Sequence, residues 1–119
     1  MRPLLKIRAR RRHESGEMNG LEARYSQHLE MLRQTGRVAS WRFEAVKLRL
    51  ARKTFLTVDF WVVKPDGLVE LHEVKGHWED DARVKTKVAA EMFHEFQFIG
   101  VTYDRRLGWV EERFGREEA

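Results

Sequence analysis

Cysteine is absent from the 119 residues of this chain. Its absence excludes a disulfide scaffold and any zinc site built from thiolates. Long apolar runs are missing as well, and none approaches the ~18 residues of a membrane-spanning helix. The basic first stretch, MRPLLKIRARRRHESG, also lacks the apolar middle of a signal peptide. Together these absences predict a cytosolic protein that does not enter a membrane.

Acidic residues are missing from the first thirteen positions, which hold six basic side chains. Clustered lysine and arginine release counterions when they bind phosphate, so this stretch favours a nucleic-acid partner. The formal net charge of +4 agrees with a polyanionic partner. We therefore divide the chain into a basic arm, residues 1–17, and one domain, residues 18–119. The arm residues expected to contact nucleic acid are Arg8, Arg10, Arg11 and Arg12, with a solvated tail as the alternative.

Two stretches have the periodicity and the end signals of helices. NGLEARYSQHLEMLRQTG begins at a candidate N-cap, Asn19, and ends at Gly36. Three apolar residues and one acid recur there at helical spacing, and this face is Glu22, Tyr25, Leu29 and Leu32. The second stretch, WEDDARVKTKVAAEMFHEFQ, is expected to be capped by Asp80 or Asp81. Its predicted buried face consists of Val84, Val88, Met92 and Phe96.

Three strands are predicted between the helices. The first, VASWRFEAVKLRLAR, alternates between apolar residues and the basic residues Lys47 and Arg49, which indicates a strand with one wet face. TFLTVDFWVV and LVELHEVK follow it, and FIGVTY and WVEERF are short strand candidates after the second helix. The order is thus helix, three strands, helix, strand. It predicts one α/β layer structure with a mostly antiparallel group of strands.

Proline occurs at only two positions, and one of them opens the turn Pro65-Asp66-Gly67. This turn favours a three-residue hairpin with a bulge at the glycine. The hairpin places Val63 opposite Val69 and Trp61 opposite Leu71. In the same register Asp59 faces Glu73. One face of the hairpin is therefore apolar near the turn and acidic at the other end.

Two facing carboxylates need a cation between them. Charges about 5 Å apart repel by roughly 3 kcal/mol at an effective dielectric of about 20, whereas a good cross-strand pair contributes about 0.2–1 kcal/mol. Lys75 lies on the same face as Glu73 and supplies part of the positive charge. A divalent ion would supply more, and oxygen ligands suit Mg²⁺. The alternative is a salt-bridge cluster at an exposed strand end.

These residues resemble a known family. Asp59 on one hairpin strand, followed by Glu73-Val74-Lys75 on the next, resembles the PD-(D/E)XK nuclease signature, although Val58 rather than proline precedes Asp59. The element order is similar to that superfamily's restriction-endonuclease-like core, a mixed central sheet flanked by helices. Glu22 resembles the additional helical acid of many members, including Holliday-junction resolvases of the endonuclease I type. The stretches LEARY and HEVKG look like those of small phage-encoded proteins assigned to this superfamily.

The resemblance implies a Mg²⁺-dependent DNA endonuclease in which Mn²⁺ substitutes for Mg²⁺. Its metal ligands would be Asp59, Glu73, the Val74 carbonyl and Glu22. Lys75 would act on the attacking water, so the catalytic residues would be Glu22, Asp59, Glu73 and Lys75. The resemblance also implies a homodimer that cuts duplex or branched DNA, with a Holliday junction as the favoured substrate. The source would be a phage or prophage in a bacterial cytoplasm.

Several alternatives stay open at this point. Glu22 falls at the third helical position after Asn19, where the acid of a capping box belongs. Lys85 and Lys87 on the second helix are expected to bind nucleic acid, and a lysine whose stem covers apolar surface is the alternative for Lys85. For the whole protein, the alternatives are a catalytically silent nucleic-acid-binding module with a nuclease-like fold and an RNA-directed nuclease.

Overall fold

The computed structural model describes residues 16–115. No helix within that range is long and apolar enough to cross a membrane. Two helices and seven strands lie in it, and in chain order they are α1 (Gly20–Gln34), β1 (Ser40–Phe43), β2 (Lys47–Ala51), β3 (Thr54–Thr57), β4 (Phe60–Val63), β5 (Val69–Val74), α2 (Asp80–Met92), β6 (Gln97–Asp104) and β7 (Gly108–Phe114).

Five of the strands form one mixed sheet in the order β1-β4-β5-β6-β7. Neighbouring strands are antiparallel except for β5 and β6, which are parallel. Parallel strands need a long crossover, and α2 provides it. The strands β2 and β3 form a separate two-stranded hairpin. The predicted α/β class with a mixed sheet is thereby confirmed.

Helix α1 begins and ends where the sequence predicts. The Asn19 side chain accepts a hydrogen bond from the Glu22 backbone N–H at 2.8 Å, and the Glu22 carboxylate accepts one from the Asn19 N–H at 3.0 Å. This reciprocal pair is a capping box. After the helix, Gly36 has a φ of 83°, a left-handed conformation that glycine adopts without a steric cost. The buried side chains of α1 include Tyr25 and Leu29, as expected.

Two of the three strands predicted between the helices are each broken into two, and both short candidates after α2 form strands. The element order is therefore helix, five strands, helix, two strands. Glu44, just after β1, has a φ of 51° and turns the chain out of the main sheet. The chain forms the β2–β3 hairpin and returns to the sheet at β4. Hydrogen bonds close the base of this excursion, from Glu44 N–H to the Asp59 carbonyl and from Val58 N–H to the Val46 carbonyl. The break was missed because no glycine or proline marks it.

The core lies on both faces of the sheet. On one face the sheet packs against α1, and the buried side chains there include Tyr25, Leu29, Val38, Phe60, Val62, Val74, Ile99 and Val101. On the other face it packs against α2 and the β2–β3 hairpin, through Leu48, Val58, Leu71, Ala89, Ala90, Phe98 and Phe114. The sheet is therefore flanked by helices on both sides.

Helix α2 differs from the prediction in its start and in its buried face. The N-cap is Glu79, which makes no side-chain capping bond, rather than Asp80 or Asp81. The buried residues are Thr86, Ala89 and Ala90, because small side chains let the helix approach the sheet closely. The predicted face was wrong: its side chains are 58% (Val84), 42% (Val88) and 47% (Met92) exposed, and Phe96 follows the end of the helix.

Candidate metal-binding carboxylate site

The β4–β5 hairpin has the register that the turn predicts. Trp61 pairs with Leu71 and Val63 with Val69. Asp59 lies one residue before β4, and its Oδ2 accepts a hydrogen bond from the Val74 N–H at 2.8 Å. This side chain therefore occupies the position where a backbone carbonyl would continue the ladder. Its carboxyl group lies within hydrogen-bonding reach of the Glu73 carboxyl group.

Glu22 approaches the Asp59–Glu73 pair from helix α1, and these three acids form the carboxylate cluster. Its side chain is 7% exposed, and that of Glu73 is 2% exposed. One oxygen of Glu22 completes the capping box on Asn19, while its carboxyl group also lies within hydrogen-bonding reach of Asp59. The first turn of α1 thus places a third acid beside the pair at the end of β5. The capping role of Glu22 is confirmed, and its metal-binding role stays a prediction.

Burial and mutual repulsion raise the pKa values of these acids. Burial first, and then the charge of Asp59, raise the pKa of Glu22 from 4.5 to about 7. Burial and the charge of Glu73 raise the pKa of Asp59 well above its usual range. The pKa of Glu73 is also raised by burial, although the nearby Lys75 opposes that shift. Without a bound cation, the cluster therefore retains protons near neutral pH, and a cation would displace them.

Lys75 follows β5 directly and is half-buried. Its backbone N–H donates to the Val101 carbonyl at 2.9 Å, which ties this position to β6. Its Nζ lies 5.9 Å from the centre of the Trp78 ring. None of the ion pairs within residues 16–115 involves Lys75, yet its charge lowers the pKa of both Asp59 and Glu73. The ammonium group thus sits beside the cluster without a committed carboxylate partner.

The donor set suits Mg²⁺ held on few protein ligands. Across residues 16–115, no three histidine, aspartate or glutamate side chains form a ready metal cage. Backbone N–H groups already occupy Glu22 Oε1 and Asp59 Oδ2. Mg²⁺ is usually bound through one or two carboxylates, waters and substrate phosphates rather than a full protein cage. The remaining carboxylate oxygens of Asp59 and Glu73 fit that pattern, and the Val74 carbonyl stays a predicted ligand.

The other predicted nucleic-acid contacts do not join this cluster. Lys85 is half-buried and lines a groove of about 580 Å³ between α2 and the β2–β3 hairpin, together with Leu50, Thr54 and Asp81. None of the acids of the cluster lines that groove. Lys87 is exposed on α2. The predicted arm residues Arg8, Arg10, Arg11 and Arg12 lie outside the described residues.

A buried chain of hydrogen bonds near the cluster was not foreseen. The Tyr25 hydroxyl lies 2.7 Å from His72 Nδ1, and His72 Nε2 lies 2.9 Å from Glu70 Oε1. His72 points to the opposite face of β5 from Glu73, and its two hydrogen-bond partners give it a structural role. The chain ties α1 to β5, the two elements that carry Glu22 and Glu73. Alternation along β5 indicates the face of His72, but only the packing of α1 on the sheet brings Tyr25 to it.

Comparison with known proteins adds no relative to this picture. A scan against protein-family models, a search of curated proteins and a search of solved structures each found no match. The geometry of the carboxylate cluster is therefore the basis for any statement about function.

Proposed function

We propose that this protein is a Mg²⁺-dependent DNA endonuclease with its active site at Glu22, Asp59, Glu73 and Lys75. The observation that carries the proposal is the Asp59–Glu73 carboxyl pair beside an uncommitted lysine. Holding the buried Glu73 beside the partly buried Asp59 costs stability, since the pKa of each acid is raised, and that cost is expected at a functional site. A plain salt-bridge cluster would show the opposite, with the pKa values of the acids lowered by a paired cation.

Each residue has a role in phosphodiester hydrolysis that follows from its position. Asp59 and Glu73 would hold Mg²⁺, with Mn²⁺ as a substitute, and the Val74 carbonyl would add a ligand. The metal supplies charge at the scissile phosphate and a water of lowered pKa. Lys75, which lies beside the pair, would orient that water and offset charge on the phosphate oxygens in the transition state. Glu22, whose carboxyl group lies beside Asp59, would complete the metal shell or serve a second metal site.

The finer substrate assignment follows from the resemblance to junction-resolving nucleases. We favour branched DNA, and a homodimer, because two symmetric cuts require two active sites. Duplex DNA and RNA are the competing substrates. A catalytically silent binding module would keep the same fold and the same capping box at Glu22.

The experiment is a cleavage assay on duplex, nicked and four-way-junction DNA, with matched RNA, in Mg²⁺, Mn²⁺ or EDTA. We expect cutting with either metal and none in EDTA. Asp59→Asn keeps an acceptor for the Val74 N–H and removes the charge, so it should abolish cutting while DNA binding in EDTA is retained. Lys75→Ala should behave in the same way.

Lys64→Ala is the matched control, because Lys64 follows β4 at the end remote from Asp59 and carries the same charge as Lys75. This variant should cut at the wild-type rate. Absence of cutting on every nucleic acid in both metals would overturn the enzyme proposal and leave the binding module. Preferential cutting of RNA would overturn the choice of DNA.

A further inference from the structure

The β2–β3 hairpin is the most one-sided charged element among residues 16–115. Between Ala45 and Val58 there is no acidic residue, and the basic residues in this stretch are Lys47, Arg49, Arg52 and Lys53. The hairpin pairs only with itself and stands apart from the main sheet. From its alternation alone, the basic side of this hairpin was expected to be a solvated face. The absence of compensating acids was the signal that could have identified it.

The two faces of the hairpin are chemically distinct. Leu48 is buried and Leu56 is half-buried, and both pack with the core on the α2 side. Lys47 and Arg49 are exposed on the opposite face. Lys47 Nζ lies 4.9 Å from the centre of the Phe55 ring, which shares that face. None of the ion pairs within the described residues involves a basic side chain of the hairpin, so this face presents positive charge around an aromatic ring.

The base of the hairpin adjoins the carboxylate cluster. Lys47 pairs with Thr57, two residues before Asp59. Because paired Cα atoms are about 5 Å apart and two residues span at most about 7 Å, the Cα atoms of Lys47 and Asp59 lie within about 12 Å. Backbone hydrogen bonds at Glu44 and Val58 fix this base in place. The base of the hairpin is therefore close enough to the cluster for one strand of nucleic acid to contact both.

The tip of the hairpin keeps a lysine at a strained position. Lys53 has a φ of 58°, in the left-handed region where glycine and asparagine are favoured. Arg52 precedes it in the same two-residue turn, between Ala51 and Thr54. An asparagine would complete the same turn with less strain but without the charge. A cation at this point is consistent with a contact that needs it.

We propose that the β2–β3 hairpin binds DNA and contacts the phosphate backbone next to the phosphate held at the carboxylate cluster. It rests on the proposed nuclease function for the position of the DNA, but its binding role is measured separately. From Lys47 to Ala51 the strand spans about 14 Å at ~3.4 Å per residue. That is under half the ~34 Å turn of B-DNA, so the exposed face of the hairpin covers a short stretch of phosphate backbone.

The test measures binding without catalysis, by fluorescence anisotropy of labelled duplex and junction DNA in EDTA. Two double variants probe the β2–β3 hairpin. One combines Lys47→Ala with Arg49→Ala, and the other combines Arg52→Ala with Lys53→Asn. Each should weaken binding by roughly tenfold and reduce the slope of log affinity against log salt by about 2, one unit for each lost phosphate contact. The charge-retaining pair Lys47→Arg with Arg49→Lys should bind like the wild type.

The control removes two positive charges from the opposite end of the sheet, by Arg37→Ala with Lys64→Ala. Arg37 follows the C-terminal end of α1, about 22 Å from its N-terminal turn, and Lys64 follows β4, about 16 Å from Asp59. The salt slope of this variant should match that of the wild type. If the hairpin variants bind DNA like the control and melt at the wild-type temperature, the proposed DNA-binding role of the β2–β3 hairpin is wrong.

Failure of the nuclease proposal gives a different pattern. In that case no variant cuts and Asp59→Asn changes nothing, yet the hairpin variants still lose affinity and salt dependence in EDTA. If the hairpin variants lose affinity for RNA but not for DNA, the choice of DNA as the partner of the β2–β3 hairpin is wrong.

Discussion

Glu22 combines a capping role and a charged role in one side chain. Its backbone and one carboxylate oxygen close the capping box with Asn19, while its other interactions are with the acids of the cluster. The two roles can be separated because glutamine also completes a capping box. A glutamine side chain has nearly the same shape without the charge, so it keeps the helix cap and removes the charge from the cluster.

We expect Glu22→Gln to keep the stability of the protein and to lose cutting. Glu22→Ala removes the cap as well, so its free energy of unfolding should be about 1 kcal/mol below that of the glutamine variant. Urea denaturation in EDTA measures the free energy of unfolding of the two variants, and the cleavage assay measures their loss of cutting. A glutamine variant that cuts at the wild-type rate would reduce Glu22 to a helix cap.

At the scale of elements, the position of α1 on the sheet determines whether Glu22 reaches the cluster. The hydrogen bond between Tyr25 and His72 joins α1 to β5 one turn beyond Glu22. Both side chains are buried, with 1% and 3% of their surface exposed. Burial also raises the pKa of the Tyr25 hydroxyl, which therefore stays protonated and able to donate.

Tyr25→Phe should destabilise the protein, because it leaves His72 Nδ1 buried without a partner. The expected loss is about 1–3 kcal/mol in the free energy of unfolding. Tyr103→Phe is the control: Tyr103 is 41% exposed, so the loss of its hydroxyl should change the stability by less than about 0.5 kcal/mol. Equal stability of the two variants would show that the buried bond does not hold α1 on the sheet.

At the scale of the whole molecule, the cluster makes stability depend on pH in an unusual direction. The folded-state pKa of Glu22 is raised from 4.5 to about 7, and those of Asp59 and Glu73 are also raised. The native state therefore binds more protons than the unfolded chain. For Glu22 the stabilisation is complete below about pH 4.5 and is lost as the pH rises through about 7. Asp59 and Glu73 act in the same direction. Glu70, whose pKa is lowered by His72, acts in the opposite direction and at lower pH.

In EDTA, the melting temperature should therefore fall between pH 5 and pH 7.5. If the cluster holds Mg²⁺ as proposed, the ion would bind the deprotonated carboxylates, so the stabilisation by millimolar Mg²⁺ should grow over the same range. Differential scanning fluorimetry with and without Mg²⁺ measures both trends. In Asp59→Asn the fall in EDTA should be shallower and the response to Mg²⁺ absent. A Mg²⁺ response that survives in this variant would place the metal elsewhere.

Local signals in the sequence were sufficient for the features that depend on short stretches of chain. Asn19 and Gly36 mark the two ends of α1, and the Pro65-Asp66-Gly67 turn sets the register of β4 and β5. That register led from the turn to the Asp59–Glu73 pair, because the pairing of two strands across a tight turn depends on few residues. The alternation of Lys47 and Arg49 with apolar residues was likewise sufficient for the two faces of β2.

The features that depend on packing between distant segments were decided only in three dimensions. Pattern alone chose Val84, Val88 and Met92 as the buried face of α2, but Ala89 and Ala90 are buried because the close approach to the sheet admits only small side chains. The break at Glu44 has no local signal, since two strands joined by such a turn have the same alternation as one. The sequence thus determined the hairpin acids and the lysine beside them. Tertiary structure decided that Glu22 joins them and that a basic hairpin stands at their edge, because burial and proximity arise from contacts far apart in the chain.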